Sequence, residues 1–164
     1  MDICAGVTQN EQMSGSFSDL EHDHLTVFRM MLEIERIMGD LRAGRATLVV
    51  VSDELLEALT SLEGDVLGHF AREEAALFLE LRKTLPELAL SVDALESGHD
   101  RISGLTARLV HALHSSVADF TQVEIMFDRL RREYEQHVVD EKNLLDVVRK
   151  KLPTEERVRL AKLM

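Results

Sequence analysis

The 164-residue chain has no tryptophan, one tyrosine, one cysteine, two prolines and eight glycines. With so few turn formers and aromatic residues, and no alternating apolar and polar stretch, it has little from which to build hairpins and strands. The lone Cys4 excludes an intrachain disulfide and any CxxC metal or redox motif. No apolar run approaches the 18 or so residues of a membrane-spanning helix. The N-terminus has no basic segment followed by an apolar core, so no secretory signal is expected and a cytoplasmic location is the default reading. Positive charge is also scarce. The formal net charge is −11, and the densest basic stretch is Arg149-Lys150-Lys151. Partners made of nucleic acid or anionic membrane are therefore not expected, because phosphate binding needs clustered cations.

What is present is a set of helical seams. Residues 1–17 are polar and without period, and read as a flexible arm. Ser18-Asp19-Leu20-Glu21 fits a capping box. Leu20, His24, Val27, Met31, Ile34, Met38 and Leu41 then recur at helical steps. A second seam runs through Leu55, Leu59, Leu62, Val66, His69, Glu73 and Leu77 until Pro86 forbids continuation. Its opening is read at or near Ser52-Asp53-Glu54. A third helix, over roughly 91–115, turns Leu95, His99, Ile102, Leu105 and Leu109 inward. Thr121-Gln122-Val123-Glu124 lies in the first turns of a fourth helix that runs to about Leu152. Thr154-Glu155-Glu156 caps a short terminal helix carrying Val158, Leu160 and Leu163. These elements predict an all-α fold: an antiparallel up-down-up-down four-helix bundle over 18–152, with a flexible N-terminal arm and a short C-terminal helix, 153–164, packed on it.

Two pairs break the apolar seams. His69 and Glu73, and His137 and Glu141, stand four residues apart, so each pair projects an imidazole and a carboxylate from one helix face. A glutamate inside a bundle costs several kcal/mol unless it is paired or bound to a cation. His24 and His99 contribute imidazoles from the other two helices. The halves repeat this pattern: His24 precedes His69 by 45 residues and His99 precedes His137 by 38, a difference of two helical turns. Four neutral nitrogens and two carboxylates suit iron, manganese or zinc.

These residues carry a family resemblance. His22-Asp23-His24-Leu25-Thr26-Val27, His69-x-x-x-Glu73-Glu74, His99-Asp100-Arg101-Ile102 and His137-x-x-x-Glu141 resemble the hemerythrin, or histidine-histidine-glutamate cation-binding, family in its bacterial form. The resemblance covers about residues 18–150. It implies two iron ions, oxo- or hydroxo-bridged, with Glu73 and Glu141 spanning them, His24 and His69 on one ion and His99 and His137 on the other. It implies a monomeric or weakly dimeric protein that binds dioxygen, nitric oxide or peroxide for sensing, storage or protection against oxidative and nitrosative stress. The reading leans to a ligand-binding metalloprotein over an enzyme. The alternatives are a ferritin-like di-iron carboxylate oxidase or peroxidase, and an iron-handling or iron–sulfur repair protein. Oxygen carriers of the family have a further histidine where this chain has Ser103, and an aspartate five residues after a histidine where it has Glu141, four after. Glu21 and Glu96, each three residues before a seam histidine, are further candidate ligands, as are Tyr134 and His22. His24 is preferred to His22 because it continues the Val27, Met31, Ile34 face.

Overall fold

The computed structural model describes residues 15–114 and 119–163, the side chains at 15–19, 21 and 161 excepted. Its elements are α1 (Gly15–Arg42), α2 (Leu48–Arg72), a π-wound segment (Glu73–Phe78), α3 (Leu79–Thr84), a 3₁₀ turn (Pro86–Leu88), α4 (Ala89–His114), α5 (Phe120–Lys151) and α6 (Thr154–Ala161). The segments from Leu48 to Thr84 follow one another without a break and form a single long rod. There is no strand among the described residues. The fold is therefore an all-α bundle, as the sequence predicts.

Contacts between the rods run in opposite senses. Asp23 on α1 meets Arg72, while Arg36, further along, meets Glu54. Glu74 meets His99, and Arg82 beyond it meets Glu96 before it. Arg101 meets Glu133, whereas Glu87 meets Lys151. His24 meets Glu141, and Arg42 meets Glu124. Each neighbouring pair of rods is thus antiparallel, the arrangement short connections dictate.

The helix ends differ in detail from the capping signals. Helix α1 is already formed at Gly15, so Ser18 lies within it. The N-cap of α2 is Thr47, which leaves Ser52 inside the helix. Asp119 caps α5 by accepting a hydrogen bond from the Thr121 amide at 3.0 Å. Thr154 is the first residue of α6 and follows Pro153. Leu160 of α6 packs into the core, but Leu163 is exposed. Cys4 and residues 1–14 of the expected arm lie outside the described residues. Between α1 and α2, Gly44 takes the left-handed conformation with φ 67°. Gly44→Ala is expected to cost about 1–2 kcal/mol in urea unfolding, since a Cβ is strained there.

The core is two apolar blocks separated by a polar layer. One block includes Val27, Val66, Phe70, Ile102 and Tyr134. The other includes Leu20, Leu77, Phe78, Leu95 and Leu144. On each rod the seam histidine falls between these blocks: His24 between Leu20 and Val27, His99 between Leu95 and Ile102. The rods carrying His69 with Glu73 and His137 with Glu141 follow the same rule. No described helix is long and apolar enough to cross a membrane.

Candidate metal centre

Six side chains form the polar layer, and all are buried. His24 keeps 8% of its surface, while Glu73 and Glu141 keep none. His69, His99 and His137 are equally inaccessible. Their helices carry them inward because each replaces an apolar residue on its seam, with Leu55, Leu59, Leu62 and Val66 fixing the rotation of the second rod.

The ligand atoms converge. His24 Nε2 lies 3.0 Å from His69 Nε2 and 2.9 Å from Glu141 Oε2. Glu73 faces both histidine pairs: its Oε1 is 3.1 Å from His69 Nε2, and its Oε2 is 3.0 Å from His99 Nε2 and 3.9 Å from His137 Nε2. Glu141 Oε2 is 4.0 Å from His137 Nε2. One ligand atom each from His24, His69, Glu73, His137 and Glu141 fits within a 4.8 Å span, a group able to hold a metal ion.

These short separations test the fit. Both oxygens of Glu73 and of Glu141, with His99 Nε2 and His137 Nε2, are buried without a hydrogen-bond partner. They approach one another closely, yet without hydrogen-bond alignment. An acceptor left so in a protein interior is costly. Two ligands at right angles around one ion, each about 2.1 Å from it, stand about 3.0 Å apart. The closest contacts here, 2.9 to 3.1 Å, match that spacing. The donor set of imidazole nitrogen and carboxylate oxygen fits iron, manganese or zinc.

Electrostatics in the layer are uneven. Burial by itself would raise the Glu73 carboxyl, but the imidazoles of His69 and His99 outweigh it and hold the group well below the usual carboxylate range. Burial raises Glu141 despite the opposing effect of His24. Burial would lower His69, and the neighbouring Glu73 carries it above its ordinary value. Burial lowers His137 to about 3, with the other three imidazoles adding to the effect and Glu73 opposing it.

Aromatic rings wall the layer. Phe70 stacks on His99 with centroids 3.8 Å apart, and Phe78 lies nearly parallel to the same ring at 5.4 Å. The ring of Tyr134 stands 6.1 Å from His24 and 6.2 Å from His137. Its hydroxyl is buried without a partner. Burial, followed by the charges of Glu73 and Glu141, pushes the phenol further above its ordinary value, so it stays protonated.

The remaining candidates fall elsewhere. His22 points to solvent. Glu96 is not brought to the centre, because Arg82 grips both its oxygens at 2.7 and 2.9 Å on an outer face. The Glu21 side chain lies outside the described part of the structure. Two residues that seam reasoning passes over do touch the centre. Glu74 Oε1 is 2.7 Å from His99 Nδ1, and Asp23 Oδ2 is 3.4 Å from His69 Nδ1. In the sequence both stand inside the stretches that carry the family resemblance, Asp23 directly before His24 and Glu74 directly after Glu73, but with no role assigned to them.

The hemerythrin HHE cation-binding domain model matches residues 16–145. No curated protein and no solved structure matches the chain at a significant level. The matched span takes in all four rods and every histidine and glutamate of the buried layer, and so the chain belongs to the hemerythrin HHE cation-binding family.

Proposed function

We propose that the protein is a non-haem di-iron protein that binds or reacts with dioxygen or nitric oxide, in sensing, storage or stress protection. His24 and His69 would hold one ion, His99 and His137 the other, with Glu73 and Glu141 as the carboxylates shared between them. The observation that carries this reading is the orientation of Glu73, whose two oxygens face different histidine pairs. That orientation lets one carboxylate offer an oxygen to each histidine pair.

When bound, two iron ions supply one-electron steps toward a diatomic ligand. The chain supplies the rest. Its histidines leave the carboxylates to balance the charge of the ions. Phe70, Phe78, Leu77 and Ile102 exclude water from the layer. The Tyr134 hydroxyl, protonated and without another partner, is placed to donate a hydrogen bond to a small ligand at the centre. Near-complete burial restricts that ligand to a size comparable with dioxygen, nitric oxide or peroxide.

The ferritin-like oxidase reading needs Glu96 as a ligand, and the grip of Arg82 on that residue opposes it. Anaerobic titration with ferrous iron is expected to saturate at two ions per chain. Admission of air should then raise absorption bands in the near ultraviolet. Saturation at one ion, or an unchanged spectrum in air, would overturn the proposal.

A further inference from the structure

The two halves of the bundle differ just outside the buried layer. In the first half, Asp23 reaches the outer nitrogen of His69, and Arg72 forms an ion pair with the same Asp23 oxygen. Glu74 reaches across to the outer nitrogen of His99. The repeat of the sequence pairs His24 with His99 and Glu73 with Glu141. The counterpart of Asp23 is then Gly98, and the counterpart of Glu74 is Lys142. Neither can accept a proton bond from an imidazole through its side chain.

The correspondence is geometric as well. A Cβ at Gly98 would lie 3.6 Å from His137 Nδ1, so position 98 faces the ring that corresponds to His69. His137 Nδ1 is buried and has no partner. One half therefore provides both outer carboxylates, and each serves a different histidine pair.

We propose that Asp23 and Glu74 are positioning residues for the metal centre, one for each ion. Each accepts the Nδ1 proton of its histidine, which fixes the tautomer that turns Nε2 toward the ion and makes that nitrogen a better donor. Among the described residues, no carboxylate is seen at the Nδ1 of His24, or at that of His137, which faces Gly98. The ion held by His99 and His137 thus depends on Glu74 alone for this support, and the ion held by His24 and His69 on Asp23. The inference rests on the di-metal reading above.

The test uses zinc, which is diamagnetic, on the full chain and on Asp23→Asn and Glu74→Gln. Both side chains are partly exposed, at 31% and 46%, and each change keeps the shape of the residue while removing its charge. Competition against a chromophoric chelator is expected to show roughly 10- to 100-fold weaker zinc binding in each variant. Ring nitrogen–proton NMR of the loaded protein gives a readout that a merely structural role would not move. The slowly exchanging Nδ1 proton of His69 should shift upfield and exchange faster only in Asp23→Asn, where a neutral amide oxygen replaces the carboxylate, and that of His99 only in Glu74→Gln. Binding within twofold of the parent, or both proton signals unchanged, would overturn the inference while leaving the di-metal reading in place. If the unaltered chain takes up no zinc or ferrous iron, both fall together.

Discussion

Glu73→Gln is expected to abolish loading of the centre, weakening metal binding on the order of 1,000-fold, or about 4 kcal/mol at 1.4 kcal/mol per tenfold. The effect should exceed that of either outer carboxylate because Glu73 contacts His69, His99 and His137 at once. An amide keeps one oxygen acceptor and turns two N–H donors toward whatever the other oxygen faced. It also removes the charge that opposes a dication. The fold itself should survive, since Gln fills nearly the same volume between Phe70 and Leu77. Circular dichroism of the metal-free variant should therefore match the parent. A helical module that never holds metal would respond differently, because metal uptake there has nothing to lose. Equilibrium dialysis with ferrous iron separates the two cases. Undiminished uptake by Glu73→Gln would end the claim that this residue is a ligand.

Much of this layer is legible in the sequence because a seam has only one inward direction. Once Val27, Met31 and Ile34 define the buried face of α1, His24 follows, and His22 is turned to solvent. The same reasoning places His69, Glu73, His99, His137 and Glu141. It cannot place Glu96, because three residues before His99 is a direction that either a metal or a neighbouring cation could use, and Arg82 on α3 takes it. Nor does it find Asp23 or Glu74. Their roles depend on how two rods approach, which no single helix encodes. The π winding over Glu73–Phe78 is equally silent in the sequence, since Leu77 remains buried in either winding. Such segments occur often at functional sites, and this one begins at the residue that spans the two histidine pairs. Capping motifs mislead for a simpler reason. Ser or Thr followed three residues later by Glu is common inside amphipathic helices, and only the backbone distinguishes Thr47 and Asp119 as the true caps.

Freed of metal by a chelator, the protein is expected to lose stability as the pH falls from about 6.5 toward 3, and His137 is the main cause. In the unfolded chain this ring takes a proton near its ordinary value of 6.5, whereas in the folded protein burial delays protonation to about 3. Between those limits the unfolded state binds more protons, so falling pH favours it. At about 1.4 kcal/mol per unit, the interval is worth on the order of 5 kcal/mol. Three neighbours modify the curve. His69 is raised, so its contribution is fully present below 6.5 and is lost only as pH rises through its folded value. Glu141 is raised as well, and its protonation in the folded state offsets part of the loss until the pH reaches its ordinary value of 4.5. Glu73 is lowered, so its stabilisation is present above 4.5 and is lost as pH falls toward its folded value. The loss should therefore be steepest below 4.5, where His137 and Glu73 act in the same direction. Urea unfolding of His137→Gln, which has no proton to take up, should give a visibly shallower acid limb than the parent. Superimposable acid limbs would show that some group other than His137 controls the response.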